Sequence, residues 1–354
     1  MLYWLCLAIF GVCFLNTGAK TKESGQRLKY YTDDALRNLA VRLFDNEGFK
    51  RESKPFMRER MPDTDGIRAV QNHIVDRLTK LDWDVELDSF EDDTPFDTKT
   101  FTNIIATLNP RASYRLVLAC HYDSKNMTYE KGSQKGVFIG AVDSAIPCGI
   151  LMDMAMQMDC LFQKSKENLD LTVQLIFFDG EEAYHEWTHT DSLYGSRHLA
   201  NRWYNEDDPN VPNKKKIDTI KLFVLLDLIG TRDIHFCNLD MRSQKYFEEL
   251  VKIEKNLKKQ KLLNSMGTSV NSRLFDDLPC PWVGGVQDDH IPFDDHKRSI
   301  LHLISLPFPS VWHTFQDNED ALDYEVTDNF NRIFRVFVAR YLHLDPLKGA
   351  CKKK

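Results

Sequence analysis

Five short apolar runs, at residues 103–108, 114–120, 171–178, 221–226 and 299–304, alternate along this chain with longer amphipathic stretches. Such runs are too short for buried helices and lack the polar alternation of a strand with one wet face. They read as strands covered on both sides. The stretches at 66–81, 145–161, 192–203, 242–256 and 328–344 carry apolar residues at helical spacing. Alternation of this kind predicts an α/β fold: a mixed, largely parallel central sheet with helices on both faces. The polar stretches at 91–100, 123–136 and 205–216 read as surface loops. No internal repeat or long linker interrupts the pattern, so residues 20–354 are expected to form one catalytic domain. A net charge of −7 argues against a protein that lives on phosphate contacts, so nucleic acid is not an expected partner.

In sheets of this class ligands sit beyond the carboxyl ends of the strands. Polar residues follow each run there. His121 and Asp123 come after the run at 114–120, and Asp179, Glu181 and Glu182 after that at 171–178. Asp227 follows 221–226, and the last run leads through Pro307, Phe308 and Pro309 to Trp312 and His313. Asp143 opens a helical stretch just after Gly140, and Gln287 and Asp288 precede the last run. Carboxylates gathered at one sheet edge repel each other and resist desolvation, and a divalent cation is the simplest remedy. A mixed set of His, Asp and Glu suits zinc. The adjacent Glu181 and Glu182 suggest a division of labour, one ligating metal while its neighbour moves protons. Trp187 and Trp312, each close in sequence to these residues, read as pocket walls.

His185-Glu186-Trp187-Thr188-His189 matches the HExxH zinc pattern letter for letter. That pattern works only on a helix, and Thr188, Thr190, Asp191 and Ser192 speak against one here. It is expected to be a coincidence.

Residues 2–15 form an apolar run without charge, followed by Gly18 and Ala19. This is shorter than the roughly 20 residues a membrane span needs. Residues 1–19 are therefore expected to be a cleaved secretory leader, with a Golgi-retained or organellar form as the alternative and no stable membrane insertion. Export agrees with the cysteines. Cys6 and Cys13 would leave with the leader, and Cys120, Cys148, Cys160, Cys237, Cys280 and Cys351 would remain, with no CxxC among them. Spacing alone does not choose their pairing. Asn126-Met127-Thr128 is a glycosylation sequon in a polar stretch.

The strings LVLACHYDSK, GAVDSAIPC, LIFFDGEEA, DSLYGSRHLA, KLFVLLDLIG, QDDHIPF and PFPSVWHT, in this order between about residues 30 and 344, resemble the animal glutaminyl-peptide cyclotransferases, or glutaminyl cyclases. That family is related in fold to zinc aminopeptidases of the M28 type. The resemblance implies cyclisation of N-terminal glutamine, and more slowly glutamate, of peptides and proteins to pyroglutamate with release of ammonia. It implies one zinc per chain, held by Asp143, Glu182 and His313. It makes Glu181 the proton-transfer residue, with Asp227 and Asp288 as acidic partners sharing hydrogen bonds with it. Trp187, Phe308 and Trp312 become pocket walls, Gln287 a substrate-holding residue and His302 a further pocket-side position. It also implies a disulfide between Cys120 and Cys148, and a monomer. Two rivals stand beside this reading. One is an aminopeptidase with a second metal at His121 and Asp227, and the other is an inactive binding module on the same fold.

Overall fold

The computed structural model describes residues 26–42, 45, 47–127, 136–266, 273–277, 280, 285–294 and 298–347. The expected leader with Cys6 and Cys13, Thr128 of the sequon and Cys351 lie outside the described residues. The strands are β1 (Asp84–Asp93), β2 (Thr98–Thr107), β3 (Tyr114–His121), β4 (Leu171–Phe178), β5 (Ile220–Asp227) and β6 (Ile300–Ile304). They form a six-stranded sheet in the order β1-β2-β4-β3-β5-β6. β1 and β2 pair antiparallel, as do β2 and β4, while β4, β3, β5 and β6 run parallel to one another. The register sets His121 opposite Phe178 and Asp227 opposite Ile304, so these strands end together at one edge.

The helices are α1 (Asp33–Arg37), α2 (Gly48–Ser53), α3 (Asp65–Thr79), α4 (Ile146–Gln157), α5 (Asp159–Ser165), α6 (Tyr194–Asn205), α7 (Gln244–Lys259) and α8 (Tyr324–Leu342). Alternate strand residues face opposite helical layers, as a two-residue period requires. Leu116, Leu118, Leu175 and Val224 join a core with Ile74 of α3, Leu151 of α4, Leu250 of α7 and Phe337 of α8. Val117, Ala119, Ile176 and Leu225 point the other way, onto Leu199 and Trp203 of α6.

The structure departs from expectation in three places. β1 has no apolar run, because as an edge strand it buries little and carries Asp84, Glu86, Asp92 and Asp93, charges that protect an open edge. The stretch at 91–100, expected to be a loop, is the tip of the β1–β2 hairpin, paired as far as Asp93 with Thr98. The expected helix at 145–161 is α4 and α5, joined at Met158 with a bend of 66°.

The cysteines require a correction. Cys237 is bonded to Cys280, and Cys160 is also in a disulfide. The bond expected between Cys120 and Cys148 is not formed: both are buried free thiols. Cys148, on α4, donates from Sγ to the His121 carbonyl at 3.0 Å, and Cys120 hydrogen-bonds with Cys148. The two sulfurs are satisfied as thiols within the core.

One buried cation ties the strand-end loops together. Arg60 is fully buried, and no carboxylate accepts from its guanidinium among the described residues. It donates instead to the carbonyls of Phe56, Arg58, Tyr122, Asp123, Ile139 and Gly140, at 2.6–3.3 Å. Its own N–H donates to Ser124 Oγ at 2.8 Å. Arg60→Met would leave these carbonyls dry and unpaired. The expected loss of unfolding free energy is about 3–5 kcal/mol, the range for breaking a buried charged pairing. Urea titration of the two proteins checks it, and a loss below about 1 kcal/mol would contradict the role.

Candidate active site

The site is built where β3, β4 and β5 end. After β4 the chain must turn sharply, and Gly180 makes the turn at φ +67°. A Cβ there would stand 2.5 Å from the Phe101 ring. The turn aims the N–H groups of Glu181 and Glu182 at the carboxylate of Asp123, which accepts both at 3.1 and 3.2 Å. Asp123 Oδ1 also faces His121 Nδ1 at 3.2 Å, so one carboxylate joins the ends of two strands. The segment before α4 brings in Asp143 after Gly140, whose φ is +57° and whose Cβ would meet the Asp143 carbonyl at 2.2 Å. Asp317 secures that segment, accepting from Val142 N at 2.8 Å.

Asp143, Glu182 and His313 converge, each offering a ligand atom within 4.8 Å of the others. His313 Nε2 lies 3.4 Å from Asp143 Oδ2 and 3.3 Å from Glu182 Oε1. The fit to a metal ion rests on Glu182. Its carboxylate is buried, Lys125 Nζ is 3.6 Å away, and neither oxygen accepts a hydrogen bond among the described residues. A buried carboxylate with unused lone pairs beside a second carboxylate and an imidazole is a donor set for zinc. The His313 ring stacks on Trp312 with centroids 4.0 Å apart, which fixes its orientation.

His121, Asp143 and Asp227 form a second convergent group on the same scale. His121 Nε2 lies 3.0 Å from Asp143 Oδ1 and 3.5 Å from Asp227 Oδ1. Burial alone would lower the His121 pKa, but Asp123, Asp143 and Asp227 hold it well above the usual value. Burial would raise Asp143, yet His121 and His313 hold it below the carboxylate range. Burial pushes Asp227 up to about 8 against His121, with Asp288 and Asp143 adding repulsion. Burial also lifts Glu181 well above the usual range; the His121 charge opposes this, and Glu182, Asp288 and Asp289 add to it.

These groups border a cavity of about 440 Å³. Glu181, Glu182, Asp143, Asp227 and His313 form its floor, and Trp187, Phe308 and Trp312 its aromatic side. Gln287 also lines it, accepting a hydrogen bond from Trp187 Nε1 at 2.6 Å across 100 residues of sequence. Two expected residues lie elsewhere. His302 does not line the cavity; it is buried in β6, and its ring shares a 2.7 Å hydrogen bond with Asp288 behind the wall. Asp288 is buried there too, accepting from Asp289 N at 2.7 Å. The hydrogen bonds expected from Glu181 to Asp227 and Asp288 are not formed among the described residues; Asp288 acts on Glu181 as a neighbouring charge. The HExxH string lies in a loop without helix, clamped by Asp191, which accepts from the N–H groups of Tyr184, His185 and Glu186.

Sequence reading gave Asp123 no role and passed over Arg60, Lys125 and Asp317. Asp123 stood inside the inspected His-Tyr-Asp string. The others act through backbone groups or at long range, which no spacing announces.

Comparison with known proteins identifies the fold and the family. Residues 103–338 match the model of Peptidase family M28. A Bos taurus glutaminyl-peptide cyclotransferase is 42% identical over 317 residues, covering 88% of this chain and 86% of its own. Its Drosophila melanogaster counterpart is 42% identical over 80% of this chain and 77% of its own. The crystal structure of Macrostomum lignano glutaminyl cyclase superposes with a TM-score of 0.81 at 35% identity, covering 90% of this chain and 96% of that one. A Zn-dependent exopeptidase from Parabacteroides distasonis, at 20% identity and a TM-score of 0.65, shares the fold. With the M28 fold, the convergent strand ends and these identities over most of its length, the chain belongs to the glutaminyl-peptide cyclotransferase family.

Proposed function

We propose that this enzyme uses one zinc ion to cyclise the N-terminal glutamine, and more slowly glutamate, of peptides and proteins. The observation that carries the proposal is the unbonded carboxylate of Glu182, facing Asp143 and His313 beside a second, non-converging carboxylate at Glu181. Bound by these three residues, zinc would supply a Lewis acid for the side-chain carbonyl. The aromatic wall of Trp187, Phe308 and Trp312 packs against the glutamine side chain, and Gln287, its oxygen turned to Trp187, offers its NH₂ group to the substrate backbone. The substrate carries nucleophile and electrophile in one residue, so orientation is most of what the walls must provide. The α-amine bonds to its own side-chain carbonyl carbon. Glu181 takes the amine proton and passes it to the amide nitrogen, which departs as ammonia when its bond to carbon breaks. A carboxyl lifted toward neutrality suits both transfers. Asp288 acts on that pKa as a neighbouring charge, and Asp227 lines the same cavity.

The aminopeptidase reading draws on the second group, His121, Asp143 and Asp227. His121 Nδ1 faces Asp123 at 3.2 Å and Nε2 faces Asp143 at 3.0 Å, so a second ion would have to displace one of these contacts, which supports a single metal. The apolar run at 2–15 and the Cys237–Cys280 disulfide support secretion, the sequon at Asn126 supports glycosylation, and no single described helix is long and apolar enough to cross a membrane.

Incubation with one peptide beginning with Gln and one beginning with Leu, followed by mass spectrometry, tests the proposal. The Gln peptide is expected to lose one ammonia, and a zinc chelator to abolish the reaction; release of free Leu would establish the peptidase instead. Glu181→Gln is expected to retain zinc while turnover falls about 10²–10⁴-fold, the range for a lost proton shuttle. His313→Ala is expected to lose the metal by elemental analysis, and a full zinc complement would refute the ligand set. Because the α-amine must be neutral to attack, kcat/KM should rise with pH up to about 7.7–8.0 and then level off.

A further inference from the structure

We infer that Asp288, His290 and His302 form a second divalent-metal site behind the cavity, and that filling it with zinc inhibits the enzyme. The three residues each offer a ligand atom within 4.8 Å of the others, as close as the triad in the cavity. Two imidazoles and one carboxylate are a common zinc donor set, with the fourth position left to water. Neither the sheet nor the cavity accounts for this grouping. His302 sits mid-strand on β6, where its ring shares a 2.7 Å hydrogen bond with Asp288 Oδ2. The His290 ring lies against it, with centroids 4.4 Å apart. His290 Nδ1 is buried and has no hydrogen-bond partner among the described residues. An imidazole nitrogen left dry beside a second imidazole and a carboxylate is costly unless something binds there.

The trio is already positioned. Ile291 N bonds to the Asp288 carbonyl at 2.9 Å and Phe293 N to the His290 carbonyl at 3.0 Å, so the backbone holds Asp288 and His290 in one tight turn. Phe293 anchors that turn in the core beneath α6. His290 itself is only half-buried, which gives an ion a way in from the surface. Binding would replace the hydrogen bond between His302 and Asp288 and commit Asp288 to the metal. The inhibitory consequence rests on the proposed role of Asp288 beside Glu181; the binding does not.

The test is equilibrium dialysis of the zinc-loaded full chain against rising free Zn²⁺, with metal content read by elemental analysis and turnover measured in parallel. Two zinc ions per chain are expected, the second weaker, with turnover falling as it binds. A crystal grown at saturation should show anomalous scattering from zinc between the three residues. His290→Gln should keep the first zinc and basal turnover, bind the second at least about tenfold more weakly, and resist inhibition. A stoichiometry that stays at one, or a second zinc that His290→Gln binds undiminished, overturns the site. A second zinc between the three residues with unchanged turnover overturns the inhibitory role. Failure of the cyclase reading would show separately, as no first zinc or no cyclisation at low free zinc.

Discussion

Seven carboxylates, those of Asp123, Asp143, Glu181, Glu182, Asp227, Asp288 and Asp289, are buried around one sheet edge. That charge is the constraint the rest of the molecule answers to. Left alone, such a cluster would take up protons or open to water. Five of them are answered in four ways. Asp123 spends its lone pairs on two backbone N–H groups and on His121. Asp143 lies between two imidazoles and keeps its charge. Glu181 and Asp227 are pushed upward, toward holding protons. Glu182 lies 3.6 Å from Lys125 Nζ and 3.3 Å from His313 Nε2 but accepts no hydrogen bond among the described residues, and is the member of the set that a metal would complete.

The fold serves this arrangement through its parallel strands. Because β3, β4 and β5 run the same way, their ends meet without long loops, and a single residue such as Asp123 can reach two of them. Arg60 does comparable work one layer away, donating to the carbonyls on both sides of the His121–Asp123 and Gly140–Asp143 segments. Its positive charge lies near Asp123, Asp143 and Asp317, so the pin that sets the backbone also offsets part of the negative charge. Positioning and electrostatics are here one device.

This shows why parts of the molecule were legible in sequence and others were not. The buried strands were plain at 114–120, 171–178 and 221–226, because burial on both faces leaves an unbroken apolar run. The residues just beyond them were plain because the topology of such sheets says where to look. β1 was missed because an edge strand is selected for charge, not for burial. Arg60 and Asp317 were missed because their partners are carbonyls and N–H groups, which are the same in every sequence. His302 was misplaced because alternation along β6 fixes its face but not how deep behind Asp288 it lies. The Cys120–Cys148 bond was carried by resemblance alone, and the thiols here are satisfied by each other and by the His121 carbonyl.

His121 is the residue on which the choice of chemistry turns. A metal-ligating imidazole gives a lone pair and must be neutral; a structural imidazolium gives two N–H donors and carries charge. The geometry offers both nitrogens of His121 to carboxylates, Nδ1 to Asp123 and Nε2 to Asp143 and Asp227. With both nitrogens so engaged, the ring is held by contacts that a metal-ligating imidazole would have to give up. Asp143 is left with one oxygen toward His121 and the other toward His313. The cavity floor is thus one aspartate bridging two imidazoles, with Glu182 facing His313 and Glu181 beside them as the carboxyl that belongs to neither convergent group.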